Sequence, residues 1–435
     1  MAPEVGSARG AQRMAAVSEG AATCPRCGAQ IAQDRGYVAW CRRCDWNVDP
    51  LPPRALPTRK ADRVAARVDA DAERALALAA GARDHSTRDR VVEMFPVLIA
   101  LGVHLVSLVV VLAGLYLVLV PGGVLAILFG VLLVSAAVLL RPHLGRISKR
   151  DVTVTRATAP ELFGLLDEIA LAASARPVQL VVLNGDFNAA YGSVGLRRRR
   201  VVWIGVPLWL VLAPDERLAL LSHEIAHQVN GDARRGLLVG TSIESLASWY
   251  QAFKWTHDAE GGLGPVDYLS WLLSLPLAKA IQLTLRLQLR LTARSHRRAE
   301  FAADDLAAEI ASTGAVLALL DVSLLSTPCL RALQHDSRHG DGALWDLLVT
   351  WRGGLPGGEW ERLRRADRLR GASVDASHPP TAHRVDALRA LSDRSGKLVL
   401  GADRSRRIDV AEILPASRMV ERRLRDWLES DRVVV

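Results

Sequence analysis

The strongest pattern in the chain is an uncharged apolar run: from Met94 to Leu140 there is no Asp, Glu, Lys or Arg. A helix that crosses a bilayer needs about 20 apolar residues, so the run predicts two spans with a reversal between them. Pro121, Gly122 and Gly123 supply the reversal, because Pro and Gly stop helices and permit sharp turns. The spans are read as Val97 to Leu119 and Val124 to Leu140, a transmembrane hairpin within 94–140. A pair of soluble core helices is the alternative, but charge-free runs of this length are rare in soluble folds. His104 lies inside the run and is read as a neutral, bundle-facing residue rather than a ligand.

Elsewhere the period changes. Residues 159–173 read as an amphipathic helix, and Val178 to Leu183 and Val201 to Val206 read as strands. Ala213-Pro214-Asp215-Glu216 places Pro and acids at a helix start, and that helix runs to about Val229. Two less clean apolar stretches follow: 237–253 contains Glu244, and 266–290 contains Lys279 and Arg286. They are possible membrane-associated helices, either interfacial or shielding their charges in a bundle. The chain then has two membrane segments, or up to four. Asp49 to Pro57 is Pro-rich and 60–82 is Ala-rich with mixed charge, so 49–90 is expected as a linker and helical stalk. The stretch 393–435 is a mixed-charge, helical C-terminal tail.

Composition sharpens this picture. The 435 residues are 50% hydrophobic and 23% charged, with 33 Gly and 20 Pro, which excludes a mostly disordered or collagen-like chain. The mean hydropathy of +0.15 therefore reflects segregation of apolar blocks from charge. The net charge of +9 follows topology. Arg83, Arg88 and Arg90 precede the hairpin, and Arg141, Arg146, Lys149 and Arg150 follow it. Cationic flanks stay in the cytoplasm and can rest on anionic headgroups of the lipid bilayer. Both ends of the hairpin are thus expected on the cytoplasmic side of the cell (plasma) membrane. No basic stretch is interleaved with aromatics, so no nucleic-acid partner is expected. The first 22 residues show no signal-peptide pattern and are expected to be disordered.

Cys24, Cys27, Cys41 and Cys44 form two CxxC pairs. Each pair can place two thiolates on one tetrahedral ion, and the segment 23–48 reads as a zinc ribbon with a structural metal. Two disulfides or a redox CxxC are the alternatives, and iron is possible because spacing does not choose the metal. Four thiolates leave no open position, so the ribbon is structural or partner-binding. Cys329 stands alone in a helical stretch and is read as a core residue.

The second metal signature is His223-Glu224-Ile225-Ala226-His227. On a helix, positions i and i+4 share a face, so His223 and His227 can grip one ion while Glu224 takes a proton from water at its open position. Downstream, Glu300 and Asp304 share a face of a predicted helix. Glu300 can complete a two-His, one-carboxylate site, and Asp304 can accept a hydrogen bond from a liganding imidazole.

These blocks, taken together, resemble the HtpX-like membrane zinc metallopeptidases, which are related to the CAAX prenyl proteases. Asn188-Ala189-Ala190-Tyr191-Gly192 is similar to the family's NAxxxG, with its Gly one residue early. The HExxH block continues into Asn230-Gly231-Asp232; Glu300 to Asp304 follows with Arg297 before it; Ser377-His378-Pro379-Pro380 and Arg384 complete the order. His296 stands where the family usually has Ser and is read as solvated. The resemblance covers about 85–392 and implies a mainly α, zincin-like (gluzincin) fold with a small sheet over 150–392. It implies Zn2+ on His223, His227 and Glu300, with Glu224 as general base. It further implies His378 as oxyanion donor, and Arg384 as an anchor with Asp304 its candidate partner. The substrate would lie along Val201, Val202, Trp203 and Ile204 by strand pairing. The expected activity is endopeptidase cleavage of polypeptides, above all membrane proteins, in quality control. The alternatives are an inactive membrane adaptor, or processing of a specific CAAX-type or signal peptide.

Overall fold

The computed structural model describes residues 20–34, 36–50, 87–120, 123–139, 147, 151–195, 197–229, 232–253, 265–339, 342–370 and 381–430. Residues 51–86 of the linker and stalk expected over 49–90, together with Asn230-Gly231 and His378, lie outside these residues.

The N-terminal ribbon is built on strands β1 (Gly20–Thr23) and β2 (Gln30–Gln33), paired antiparallel from Gly20 opposite Gln33. Gly20, Ala21 and Ala22, expected within the disordered N-terminus, therefore belong to the ribbon. Its core consists of Cys24, Ile31 and Cys41, too little apolar surface to hold a fold without a cross-link or metal.

Helices α1 (Thr87–Leu119) and α2 (Val124–Leu139) form the hairpin, with Gly123 in a left-handed conformation at the turn. In α1 the segment Met94–Leu119 has mean hydropathy 2.6 and is long and apolar enough to cross a membrane. Leu98, Leu101, Leu105, Leu108 and Leu112 point outward, where a soluble core helix would bury them. At 16 residues α2 rises about 24 Å, shorter than a typical hydrocarbon core. The two helices meet at glycines: a Cβ on Gly130 would lie 2.7 Å from the Gly114 carbonyl oxygen. Small residues at such contacts let helix backbones approach closely.

Strands β3 (Val152–Val154), β4 (Leu180–Asn184), β5 (Ala189–Val194) and β6 (Arg199–Gly205) form a sheet in the order β3-β4-β6-β5. Only β4 and β6 run parallel. Helices α3 (Pro160–Ala172), α4 (Val206–Val211) and α5 (Pro214–Val229) surround this sheet. Leu162, Leu166, Ile169, Val181, Ile204, Leu218 and Ile225 pack in one core.

Helix α6 (Asp232–Phe253) and helix α7 (Pro265–Ile310) then pack on α1. Val103, Leu246 and Ile281 form a buried apolar cluster among the three helices. Polar contacts tie them as well: His104 Nε2 lies 3.2 Å from Thr241 Oγ1, and Gln288 Nε2 donates to the Pro96 carbonyl at 2.9 Å. The two stretches with mixed charge are thus helices of a bundle with α1. Continuous over 46 residues, α7 extends from that bundle into the sheet-containing domain.

Five helices close the domain: α8 (Thr313–Ser323), α9 (Ser326–His339), α10 (Leu344–Gly353), α11 (Gly357–Arg370) and α12 (Thr381–Ala390). The ribbon rests on α11: Arg362 Nη1 donates to the Val48 carbonyl at 2.7 Å, and Arg365 pairs with Asp45 at 2.9 Å. After these come α13 (Ala402–Arg407), a π-helix (Ile408–Ile413) and α14 (Leu414–Ser430). This segment, expected as a tail, buries Ile408, Ile413, Val420 and Leu428 in the main core. The Glu412 carboxylate accepts the backbone N–H groups of Glu161 and Leu162 at 2.8 and 2.9 Å, capping α3 from 250 residues away. That helix has no side-chain cap of its own, and its first N–H groups need an acceptor.

Candidate metal centre

Helix α5 starts where Glu216 folds back to accept the Ala213 N–H at 2.7 Å, half of a capping box. Two turns on, His223 and His227 emerge on the same face. Helix α7 crosses this face and contributes Glu300 and Asp304, also one turn apart. The structure brings these expected residues together. His223 Nε2 and His227 Nε2 are 3.2 Å apart, and each lies near Glu300, at 3.5 and 3.6 Å. Ligands about 2.0–2.1 Å from a tetrahedral zinc stand about 3.3 Å from one another. All three edges of the triangle fit one such ion.

Asp304 lies behind the triangle, 3.0 Å from His223 Nδ1. That contact leaves Nε2 as the nitrogen turned to the centre. Arg384, on α12, grips Asp304 with two hydrogen bonds: Nε to Oδ2 at 2.7 Å and Nη2 to Oδ1 at 2.6 Å. Its Nη1 also lies 3.4 Å from Glu300. His223, Glu224, Glu300 and Asp304 are all buried. His296 is exposed, as expected for a solvated residue.

Burial here opposes every charge, so the shifts show which contacts prevail. Burial alone would lower the His223 pKa, but hydrogen bonds to Asp304 and Glu300 outweigh it and raise it to about 9. Burial would raise Asp304, but the Arg384 guanidinium outweighs it and holds the carboxyl below its usual range. Ion-free, the cluster draws a proton onto His223, the position a cation would take.

In the ribbon, Cys24 Sγ lies 3.7 Å from Cys44 Sγ and Cys27 Sγ lies 3.6 Å from Cys41 Sγ. These separations exceed the ~2.05 Å of a disulfide and fit the ~3.8 Å edge of a tetrahedral metal–thiolate site. Each knuckle closes on backbone hydrogen bonds: Gly28 N–H to the Cys24 carbonyl at 2.9 Å, and Asp45 N–H to the Cys41 carbonyl at 2.9 Å. Gly28 and Asp45 both take the left-handed conformation these turns require. Among the described residues, these cysteines and the His223–His227–Glu300 triangle are the two groups able to hold a metal ion. Cys329 is buried in the core, and burial pushes its thiol up to about 12.

The expected substrate strand needs correction. Both sides of β6 are taken, by β4 through Val201, Val202, Trp203 and Ile204, and by β5 through the same residues. No peptide can add there. The sheet's edge strands are β3 and β5, and of the two it is β5, carrying Ala189-Ala190-Tyr191-Gly192, that packs against the two-histidine helix α5. The sequence holds a signal for this, since the block Asn188-Ala189-Ala190-Tyr191-Gly192, similar to the family's NAxxxG, falls on this strand. The β-branched run of β6 masked it. Asp367 on α11 accepts the Ala382 N–H of α12 at 2.9 Å, a contact with no sequence signal, because nothing in the local spacing links these two helices.

The comparisons agree with this geometry. The sequence profile described as peptidase family M48 matches residues 158–392, more than half of the chain. A protein named "Protease HtpX homolog" from Gemmatimonas aurantiaca is 27% identical over 244 residues, covering 55% of this chain and 78% of that protein. A "Protease HtpX" from Xanthomonas axonopodis pv. citri is 27% identical over 288 residues, covering 62% and 86%. No solved structure matches. Profile and relatives converge on the stretch that folds around the two-histidine helix, and the chain belongs to peptidase family M48.

Proposed function

We propose that this membrane metalloprotease hydrolyses peptide bonds at the cytoplasmic membrane face, with one catalytic zinc on His223, His227 and Glu300 and one structural zinc on Cys24, Cys27, Cys41 and Cys44. The observation that carries the reading is the triangle of ligand atoms at the edge lengths of a single tetrahedral ion, set on an HExxH helix. Zinc bound there supplies Lewis acidity, which polarises a carbonyl and makes water acidic.

The remaining work belongs to side chains. Glu224 takes the proton of the attacking water and returns it to the leaving amine. Asp304, steadied by Arg384, orients His223. His378 donates a hydrogen bond to the developing oxyanion. The substrate adds as a strand to the free edge of β5, where backbone pairing gives affinity for many sequences. That tolerance suits a role in membrane-protein quality control.

The bundle of α1, α2, α6 and the first half of α7 is the membrane part, with up to four segments. Its polar contacts through His104 and Gln288 support helix association in lipid. Basic flanks at both ends of the hairpin favour the cytoplasm for ribbon and peptidase domain. The described part of the expected tail, residues 393–430, is included in the catalytic domain on this reading.

Purified Glu224→Gln protein should keep two zinc ions per chain and lose cleavage of an unfolded membrane-protein substrate. Chelator-sensitive cleavage by that variant at the wild-type rate would overturn the scheme.

A further inference from the structure

Contacts in the ribbon converge on one helix of the peptidase domain, and that helix leads back to the metal centre. Arg362 on α11 is buried. It binds both carboxylate oxygens of Glu359, at 2.7 and 2.6 Å, and spends Nη1 on the Val48 carbonyl of the ribbon at 2.7 Å. One turn on, Arg365 Nη1 donates to the Arg42 carbonyl at 2.6 Å and to Asp45 Oδ1 at 2.9 Å, and its guanidinium lies 5.1 Å from the centre of the Trp40 ring. Arg42 returns a salt bridge to Glu361 at 3.0 Å. The acceptors are specific to the folded ribbon. Arg42 sits between Cys41 and Cys44, and Asp45 follows them, so the geometry of the second knuckle presents them.

The far end of α11 has a second attachment. Asp367 Oδ2 accepts the Ala382 N–H at 2.9 Å, one of the orphan donors in the first turn of α12. Two residues on in α12 comes Arg384, which grips Asp304 and approaches Glu300. Asp304 in turn holds His223.

From this continuous series of contacts we infer that the ribbon is a positioning module for the peptidase centre. Its metal-organised second knuckle fixes α11; α11 fixes the start of α12 through Asp367; and α12 delivers Arg384 to Asp304 and Glu300. Arg362, Arg365 and Asp367 are positioning residues, since none touches the centre. The inference rests on the reading of His223, His227 and Glu300 as metal ligands.

The test uses the full-length, metal-loaded protein in detergent. Two readouts are taken: amide hydrogen exchange across 381–390, and chelator competition for the metal held outside the cysteines. In Arg362→Ala/Arg365→Ala the four cysteines remain, and the ribbon should keep its metal. In that variant and in Asp367→Ala, α12 should exchange at least ~10-fold faster, and the centre should bind metal about 10–100-fold more weakly, the range for lost support behind a ligand. Asp367→Asn retains an acceptor for Ala382 and should stay within about 3-fold of wild type. Arg365→Ala alone leaves the buried Arg362–Glu359 pair intact and should shift both readouts the same way by less, which guards against simple unfolding of the double variant.

Wild-type exchange and metal affinity in both Arg362→Ala/Arg365→Ala and Asp367→Ala would overturn the positioning role. So would Asp367→Asn behaving like Asp367→Ala. A wild-type protein that holds metal only through its cysteines would instead sink the ligand reading, which keeps the two failures apart.

Discussion

Arg384 shows how much one side chain decides at this centre. It supplies two hydrogen bonds to a carboxylate that is almost fully buried and whose other contact is His223 Nδ1. Removing it strands that charge, so Arg384→Ala should cost about 3–5 kcal/mol in denaturant unfolding. Lysine should rescue little, because it lacks the planar fork that meets both oxygens. The histidine behind this pair sets a pH dependence. In ion-free protein His223 has a pKa of about 9, above its ordinary 6.5. The stabilisation it gains by holding a proton is complete below 6.5 and is lost as the pH rises through about 9. Chelated protein should therefore melt at lower temperature as the pH is raised through that window. Zinc uptake has the opposite sense and should release a proton below pH 9, visible in calorimetry as a heat that depends on the buffer. At this scale the sequence was highly legible, since i and i+4 spacing on two helices placed His223, His227, Glu300 and Asp304. The Arg384 partner was anticipated only through the family order of motifs.

At the scale of elements, local pattern gave helices and strands but not their neighbours. The β6 run is legible as a strand, yet its place inside the sheet depends on pairing with residues that precede it, and so β5 rather than β6 lies at an edge. The C-terminal helices were read as a tail because their charge is mixed. Their buried face is narrow, and Glu412 and Asp409 act on residues far away in sequence: Asp409 accepts from Trp209 Nε1 at 2.8 Å and from Arg217 at 2.6 Å. A chain ending after residue 401 would expose the partners of Ile408, Ile413, Val420 and Leu428. Each such side chain is worth about 1.5–3 kcal/mol, and together they rival the whole stability of a domain. The truncated protein should lose its cooperative melt. A milder change, Glu412→Ala, removes the cap of α3 and should cost about 2 kcal/mol.

For the whole molecule, α7 is the member that joins the bundle to the chemistry. It was not legible as one helix, because Lys279, Arg286 and Pro276 interrupt its apolar pattern. In the structure it carries Gln288, bonded to Pro96 near the start of the charge-free segment, and then Glu300 at the candidate metal centre. Twelve residues of helix are about 18 Å. On the proposed placement, Gln288 marks the edge of the hydrocarbon, and α7 becomes a depth gauge that holds the cutting point at a constant height above it. An extended chain covers that height in about five to six residues. Products from membrane-protein substrates should accordingly begin or end about that far from a span, whatever the local sequence, and mass spectrometry of the fragments reads the spacing directly. Cuts scattered evenly along cytoplasmic loops would show that height is no constraint. A protease built on such a gauge selects its bonds by distance from the bilayer before it reads a single side chain.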